Sequence, residues 1–522
     1  MEKNLSLSTI RIFSRKDLPL YLIVFFSAIA LKTVTELVAY PYPIGYDVIN
    51  YYIPMLSNFE NEYNTILRDY PFYVYLLHLI QNITGLSVQT TVSTVAALIF
   101  GLFAVSILSL GKAIIRKNNS YYAAVVSLFV IVQIPVLRTT WDLHRDMFSL
   151  TMMFFAISIL MRIRNNYPTK FPSSALVSCL SFTVLSVISD RMVGAWFIVV
   201  YCICTIRYRE RIVAIGFVVS LVSFVTLLAV TGGVGYSIVS SSFRSISDEA
   251  VDAQISGEPE QLNESYNQTN LFSYFIALCI LLIPLAIVGY LQLKDQLLKI
   301  CLIVALVGSM TWLVFPHADV LVADRWILLF GISLSVFAGY GFVRTIQILS
   351  KWQRSTNLCI LATAMIFLIF AQIGISYAVL PYNAQASIIS LFETNIQDFV
   401  PKSMQFNSVR IDQSPMLQDI INWLNENTST RSKIIGSSDW RGWFVSGLAG
   451  NRGFISYEEL EKQVRNTNYW SNDQEYLIDT NVIDDPIFHR TNSGFEGVKA
   501  YSNSLFTLYR IFEIPKNASS VN

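Results

Sequence analysis

Charge is what this chain has least of. Of its 522 residues 14% are charged against 53% hydrophobic, and the formal net charge is +1. So little charge leaves no basic face for a nucleic-acid backbone, so nucleic acid is not among the expected partners. The chain also carries more apolar sequence than a soluble protein of this length can bury. Histidine is scarce, four residues in all, and no second metal ligand stands one helical turn from His78. The six cysteines, Cys179, Cys202, Cys204, Cys279, Cys301 and Cys359, all fall in apolar runs, which argues against disulfides and thiolate metal sites and makes them small core residues. No glycine-rich loop is present to cradle a nucleotide, and no isolated Asp-x-Asp occurs. The first apolar segment, from Leu18, lacks the small-residue cleavage pattern of a signal peptide and is expected to remain as an anchor.

What is there is a succession of long apolar runs. They lie near Leu18–Tyr40, Leu86–Leu110, Ser120–Val136, Met147–Ile163, Ser173–Ser189, Met192–Ile206, Ile212–Thr231, Leu271–Leu293, Leu297–Phe315, Trp326–Thr345 and Leu358–Leu380. They predict an all-α polytopic membrane domain of about 11 transmembrane helices over residues 1–380. Basic residues gather at the N-terminus and in alternate loops, whereas the opposite loops hold only Arg68, Arg138, Arg145, Arg191, Arg244 and Arg325. The positive-inside rule then predicts a multi-pass protein of the cell membrane with a cytoplasmic N-terminus and an outward-facing C-terminal region. Two shorter stretches, Pro41–Pro54 and the aromatic run between Ile66 and Gly85, read as interfacial helices. The polar outer loop Gly232–Asn270 has the length of a lid or a disordered segment.

After Leu380 the composition turns polar and mixed. Gln413–Asn427 has the spacing of an amphipathic helix, Lys433–Ser437 reads as a buried strand followed by a helical WRGWFVSGLAG, and Glu475–Thr480 and Leu505–Ile514 read as further strands. Residues 381–522 are therefore expected to form a small extracytoplasmic α/β domain.

Candidate chemistry sits in the outer loops. In PYPIGYDVINYYIP the prolines stop the first helix and Asp47 follows at the membrane boundary, either as a helix cap or as a functional carboxylate. In TWDLHRD, Asp142 and Asp146 form an i, i+4 pair if they begin the fourth helix, and with His144, Asp47 or water they offer ligands for a divalent cation, Mg2+ or Mn2+. The alternative is that the two carboxylates bridge Arg145 and Arg138 at an exposed loop. Ser189-Asp190-Arg191 reads as a self-neutralised pair or as a guanidinium oriented toward phosphate, and Asp324-Arg325-Trp326 favours the phosphate role for Arg325.

An acidic residue after the first span, two interfacial helices, an acidic turn after the third span and a C-terminal outer domain together resemble the GT-C superfamily of membrane glycosyltransferases. TWDLHRDMFSL and ADRWILLFGISLSVFAGYG look like elements of its archaeal members. The resemblance covers most of the chain as architecture and short motifs. It implies a polyprenyl (dolichyl) phosphate-linked sugar as donor, a glycan, lipid or protein as acceptor, the bilayer as partner, and Asp47 as the carboxylate that serves as base or binds the acceptor. The acidic turn binds a metal in oligosaccharyltransferase members and not in others, so it implies a divalent cation at Asp142 and Asp146 only in part. SSDWRGWFVSGLAGNR stands where those members carry WWDYG but lacks that motif, which disfavours transfer to asparagine.

The chemistry of such a reaction agrees with the residues. A departing phosphate needs positive charge, here Arg325, Arg145 and Arg191, and the attacking hydroxyl needs a carboxylate base, here Asp47. One base opposite the leaving group implies inversion. A transporter or flippase of lipid-linked sugars would instead place charges near the bilayer midplane and repeat internally, and no repeat is found. A non-catalytic subunit with the same fold is the remaining alternative.

Overall fold

The computed structural model describes residues 17–40, 44–45, 47–60, 63, 66–67, 72–115, 120–141, 143–166, 173–231, 268–313, 323–352, 364–371, 414–436, 441–449, 453–456, 475–480, 495–504 and 506–513. Its helices in chain order begin with α1 (Leu18–Ala39), α2 (Ile53–Ser57, after a π-helical turn Val48–Tyr52), α3 (Tyr73–Thr84), α4 (Val88–Ile114), α5 (Ser120–Ile131) and α6 (Ile134–Trp141). They continue with α7 (His144–Asn166), α8 (Ser173–Ser189), α9 (Arg191–Tyr208), α10 (Arg211–Val230), α11 (Gln268–Cys279), α12 (Ile283–Gln292), α13 (Gln296–Ser309) and α14 (Ala323–Trp352). A polar C-terminal part follows with α15 (Ser414–Asn427), β1 (Lys433–Gly436), α16 (Arg441–Gly447), β2 (Gly453–Ser456), β3 (Glu475–Thr480), β4 (Phe495–Ser502) and β5 (Phe506–Glu513). The chain divides into two compact units, one of Met1–Val38 with Phe59–Lys402 and one of Ala39–Asn58 with Ser403–Asn522.

The first unit is a bundle of apolar helices. Among the described residues seven are long and apolar enough to cross a membrane: α1, α4, α7, α9, α10, α13 extended to Leu313, and α14. Two bent pairs, α5–α6 at 62° and α11–α12 at 65°, raise the number to nine if each pair is one span. The chain is a multi-pass membrane protein. The helix α8 is a shorter apolar helix, and most of the run Leu358–Leu380 lies outside the described residues.

Both bends have local causes. Between α5 and α6 the break ends at Pro135, which lies in the first turn of α6 and has no N–H to give, and the side-chain amide of Gln133 donates to the Phe129 carbonyl at 2.6 Å. Between α11 and α12 the break ends at Pro284, in the first turn of α12. The bends face each other across an apolar pocket lined by Gln133, Ile134, Pro135, Leu278 and Leu282. Helix α14 packs against both pairs, and its contact with α12 is backbone to backbone. A Cβ at Gly289 would lie 2.0 Å from the Phe337 carbonyl oxygen, and one at Gly341 would lie 1.9 Å from that of Leu285. Only glycine permits so close an approach.

Several helix starts carry their own caps. Ser87 accepts from Thr90 N at 3.2 Å, Asp190 from Met192 N and Val193 N at 2.9 and 2.8 Å, and Asp295 from Leu297 N and Leu298 N at 2.8 and 3.3 Å. Where α7 ends, Arg164 grips Glu210 through two bonds of 2.7 and 2.8 Å and reaches Asp295 at 3.7 Å, tying the starts of α10 and α13 together.

The second unit contains a five-stranded sheet in the order β2-β1-β3-β5-β4. β1 pairs in parallel with β2 and β3, while β5 pairs antiparallel with β3 and β4. One core cluster lies under α15, whose Leu417, Ile420, Ile421 and Leu424 are buried with Ile434, Phe444, Tyr476 and Leu508. The same cluster includes Ile49, from the turn after the first span. The interfacial reading of Pro41–Pro54 is therefore corrected within this unit: Val48, Ile49 and Tyr52 are buried.

Candidate functional site

Three helix starts in the first unit bring ionisable side chains together. Asp146 lies in the first turn of α7, Asp190 caps α9, and Asp324 lies in the first turn of α14. A carboxylate is favoured at each place because the first backbone N–H groups of a helix point outward unpaired. All three carboxyl groups are buried at 3% exposure, as is Arg138 on α6 at 1%. The exposed-loop reading of Asp146 and Arg138 does not hold.

Arg145 Nε stands 3.0 Å from Asp190 Oδ2 and 3.7 Å from Asp146 Oδ1. Asp190 is thus joined to Arg145, a residue of another helix, and the sequence reading that pairs it with Arg191 misses this partner. Asp146 and Asp190 thus face the same guanidinium. Asp190 also accepts two backbone N–H bonds, which with the Arg145 charge favour its ionised form. Burial pushes the Asp190 carboxyl up, but the Arg145 charge, the Val193 N–H and Asp146 outweigh it and hold it below the ordinary carboxylate value.

Arg325, half-buried at the third position of α14, is close enough for its charge to act on Asp146, Asp190 and Asp324. Arg138 acts on Asp324 and lies over the Trp141 ring at 5.7 Å. Arg191 begins α9 and is half-buried. The structure thus gathers Arg145 and Asp146 with Asp190 and Arg325, from three stretches far apart in sequence.

His144 points elsewhere. Its Nε2 bonds to the Thr140 carbonyl at 3.1 Å, and its ring stands edge-on to Tyr73 at 6.2 Å. Burial pushes the Tyr73 phenol far above its ordinary value, so it stays protonated. The charge acting on His144 from the first helix is that of Lys32. Lys32 is buried in the apolar α1, ion-paired with Glu36 at 2.7 Å, and Glu36 accepts from Ser93 Oγ on α4 at 3.3 Å. Sequence reading passes over this pair, although a Lys-x-x-x-Glu inside a span is a signal of its own.

In the second unit Asp47 is buried at the N-cap position of the turn Val48–Tyr52, and its side chain makes no capping hydrogen bond. The cap reading of Asp47 loses its support. Asp142 lies outside the described residues. Among the described residues no group of three or more His, Cys, Asp or Glu side chains is arranged to hold a metal ion. His78 stacks on Phe59 at 3.8 Å and pairs with Asn82 at 3.0 Å.

No family model matches this sequence, and no curated protein does. Solved structures do match. ArnT from Cupriavidus metallidurans in the apo state aligns over 94% of this chain and 97% of its own, with TM-score 0.51 and 11% identity. The chain has the GT-C fold. Two further structures of GT-C proteins align at lower scores. The Archaeoglobus fulgidus oligosaccharyltransferase complex with Zn and sulfate aligns over 88% of this chain and 68% of its own, with TM-score 0.46 and 11% identity. The mycobacterial arabinofuranosyltransferase AftD aligns over 95% of this chain and 40% of its own, with TM-score 0.45 and 12% identity. The GT-C fold here is an all-α polytopic membrane domain followed by a small mixed sheet, as the sequence predicts.

Proposed function

We propose that this protein is an integral membrane glycosyltransferase that moves a sugar from a polyprenyl (dolichyl) phosphate donor to an acceptor hydroxyl on the outer face of the membrane. The observation that carries the reading is the set of two buried carboxyl groups, Asp146 and Asp190, and two half-buried arginines, Arg145 and Arg325, at the starts of α7, α9 and α14. Guanidinium forks and outward-pointing N–H groups at helix starts are the groups that bind phosphate in a dry site. A lipid-linked phosphate is the anion that reaches such a site from within a bilayer.

Arg325 and Arg145, with Arg191, bind the donor phosphate and stabilise its charge as it leaves. The acceptor oxygen attacks the anomeric carbon, the bond from that carbon to the phosphate oxygen breaks, and the electron pair leaves with the phosphate. Asp47 takes the hydroxyl proton, and the sugar inverts. The acceptor is a glycan, a lipid or a protein, and the domain after residue 381 lies outside.

A divalent cation at Asp142, Asp146, His144 and Asp47 is the second reading. The described residues do not fit it: Asp146 faces Arg145 and the Arg325 charge, His144 Nε2 is bonded to a carbonyl, and the Lys32 charge lies close to that ring. No step above passes through a metal.

The test is binding of C55 polyprenyl phosphate to the purified protein, read by native mass spectrometry. The wild-type protein is expected to retain it and Arg145→Ala and Arg325→Lys to bind about 10-fold or more weakly. Equal retention by all three proteins would remove the phosphate role. Cysteines introduced at Ser256 and Asn472 are expected to react with an impermeant thiol reagent in intact cells; protection of both, with labelling at Asn118, would invert the orientation.

A further inference from the structure

The turn that carries Asp47 is built into the C-terminal unit. Ile49 is 3% exposed within the core cluster that holds Trp443, Phe444, Leu417 and Ile420, residues that follow it by several hundred positions. The side-chain oxygen of Asn50 accepts from Gly442 N at 3.0 Å. The contact is so close that a Cβ at Gly442 would lie 2.0 Å from the Ile49 carbonyl oxygen, 2.5 Å from its carbonyl carbon and 2.7 Å from the Asn50 Cα. All three are backbone atoms, which cannot swing aside as a side chain can. Gly45, with φ at 108°, supplies the left-handed residue that lets the chain enter the turn, and Ile49 N donates back to its carbonyl at 3.1 Å.

The gripping helix is itself held. Asn425 on α15 donates to the Gly447 carbonyl at 2.9 Å and accepts from Ala449 N at 2.8 Å, closing the end of α16. Gly447 lies against Ile421, whose Cγ2 would meet a Cβ there at 2.9 Å. Contacts run from α15 through α16 to Asn50, and Asp47 stands three residues before Asn50.

We propose that the C-terminal domain is the positioning element for the Asp47 carboxylate, with Gly442 and Asn50 forming the latch. This rests on the reading of Asp47 as the base. A base must stand within hydrogen-bond reach of the proton it removes, and a turn between a membrane span and a surface segment has no rigidity of its own. The domain supplies that rigidity. Gly442 and Asn50 are positioning residues, acting through the turn.

The experiment uses the full-length protein, radiolabelled polyprenyl-phosphate hexose as donor, and amide hydrogen exchange across Val48–Tyr52. Gly442→Ala and Asn50→Ala are expected to raise exchange in that segment and to lower kcat about 10- to 100-fold with donor KM nearly unchanged. Asn50→Asp, which keeps an accepting oxygen, is expected to recover protection and most of the turnover. Unchanged exchange in both Gly442→Ala and Asn50→Ala overturns the latch, whatever Asp47 does. Raised exchange with full turnover, in a protein that Asp47→Asn inactivates, overturns the positioning role. Full turnover by Asp47→Asn removes the base itself and the positioning role with it, and exchange then still reports whether the latch exists.

Discussion

Arg145 Nε lies 3.0 Å from Asp190 Oδ2, an ion pair that joins the start of α7 to the cap of α9 inside a membrane bundle. Two charges taken from water together are tolerable; one left alone is not. Asp190→Asn is therefore expected to cost about 3–5 kcal/mol, because it strands the Arg145 charge and weakens the cap. The pH dependence has a definite sign. The Asp190 carboxyl is held below 3.8, so its stabilising contribution is fully present above about pH 4 and is lost as the pH falls through the depressed folded value. Thermal unfolding in detergent should show a flat melting temperature near neutrality and a fall in acid, and Asp190→Asn should start lower and lose its share of that fall. Identical acid limbs would contradict the assignment of the charge to Asp190.

Lys32 and Glu36 give a second stability test. Lys32 is fully buried and Glu36 only partly, at 0% and 20% side-chain exposure. Glu36→Gln leaves a buried ammonium without its counter-charge and should cost about 3 kcal/mol, whereas Lys32→Met in that background should recover most of the loss. A double-mutant cycle on melting temperature reads the coupling. Additive effects would show that the pair is not energetically joined.

The sequence made much of this architecture legible. Apolar runs located the spans because length and hydropathy suffice for a helix in lipid, and the periodicities of Ser414–Asn427 and Lys433–Gly436 located a helix and a strand. β2 at Gly453–Ser456 and β4 at Phe495–Ser502 were missed, the first because it is four residues long and the second because alternating polar residues mark it weakly. Asp146, Asp190 and Arg325 stood out as charges at span ends. Their pairing did not, because which helix start faces which depends on bundle packing, and no local pattern joins Arg145 to Asp190. The burial of Ile49 against Phe444 was hidden for the same reason: an apolar turn beside a membrane reads as lipid-facing until a partner hundreds of residues later is placed against it.

Arginine or metal is decided by chelation. With Asp146 facing Arg145 and His144 bonded to a carbonyl, transfer is expected to persist in excess chelator. Arg325→Lys is expected to lower turnover by about two orders of magnitude, because a point charge does not replace a bidentate fork. Loss of activity in chelator, restored by Mg2+ or Mn2+ and absent from the response of Asp146→Ala, would establish the cation instead.

The most direct measurement is sugar transfer itself. Purified protein given radiolabelled polyprenyl-phosphate hexose and a membrane glycolipid extract should release polyprenyl phosphate and label the acceptor with inverted configuration at the anomeric carbon. Asp47→Asn, nearly isosteric but unable to take a proton, should bind C55 polyprenyl phosphate as the wild type does while kcat falls by about two or more orders of magnitude. Unchanged turnover by Asp47→Asn, or retention of configuration, would contradict the account.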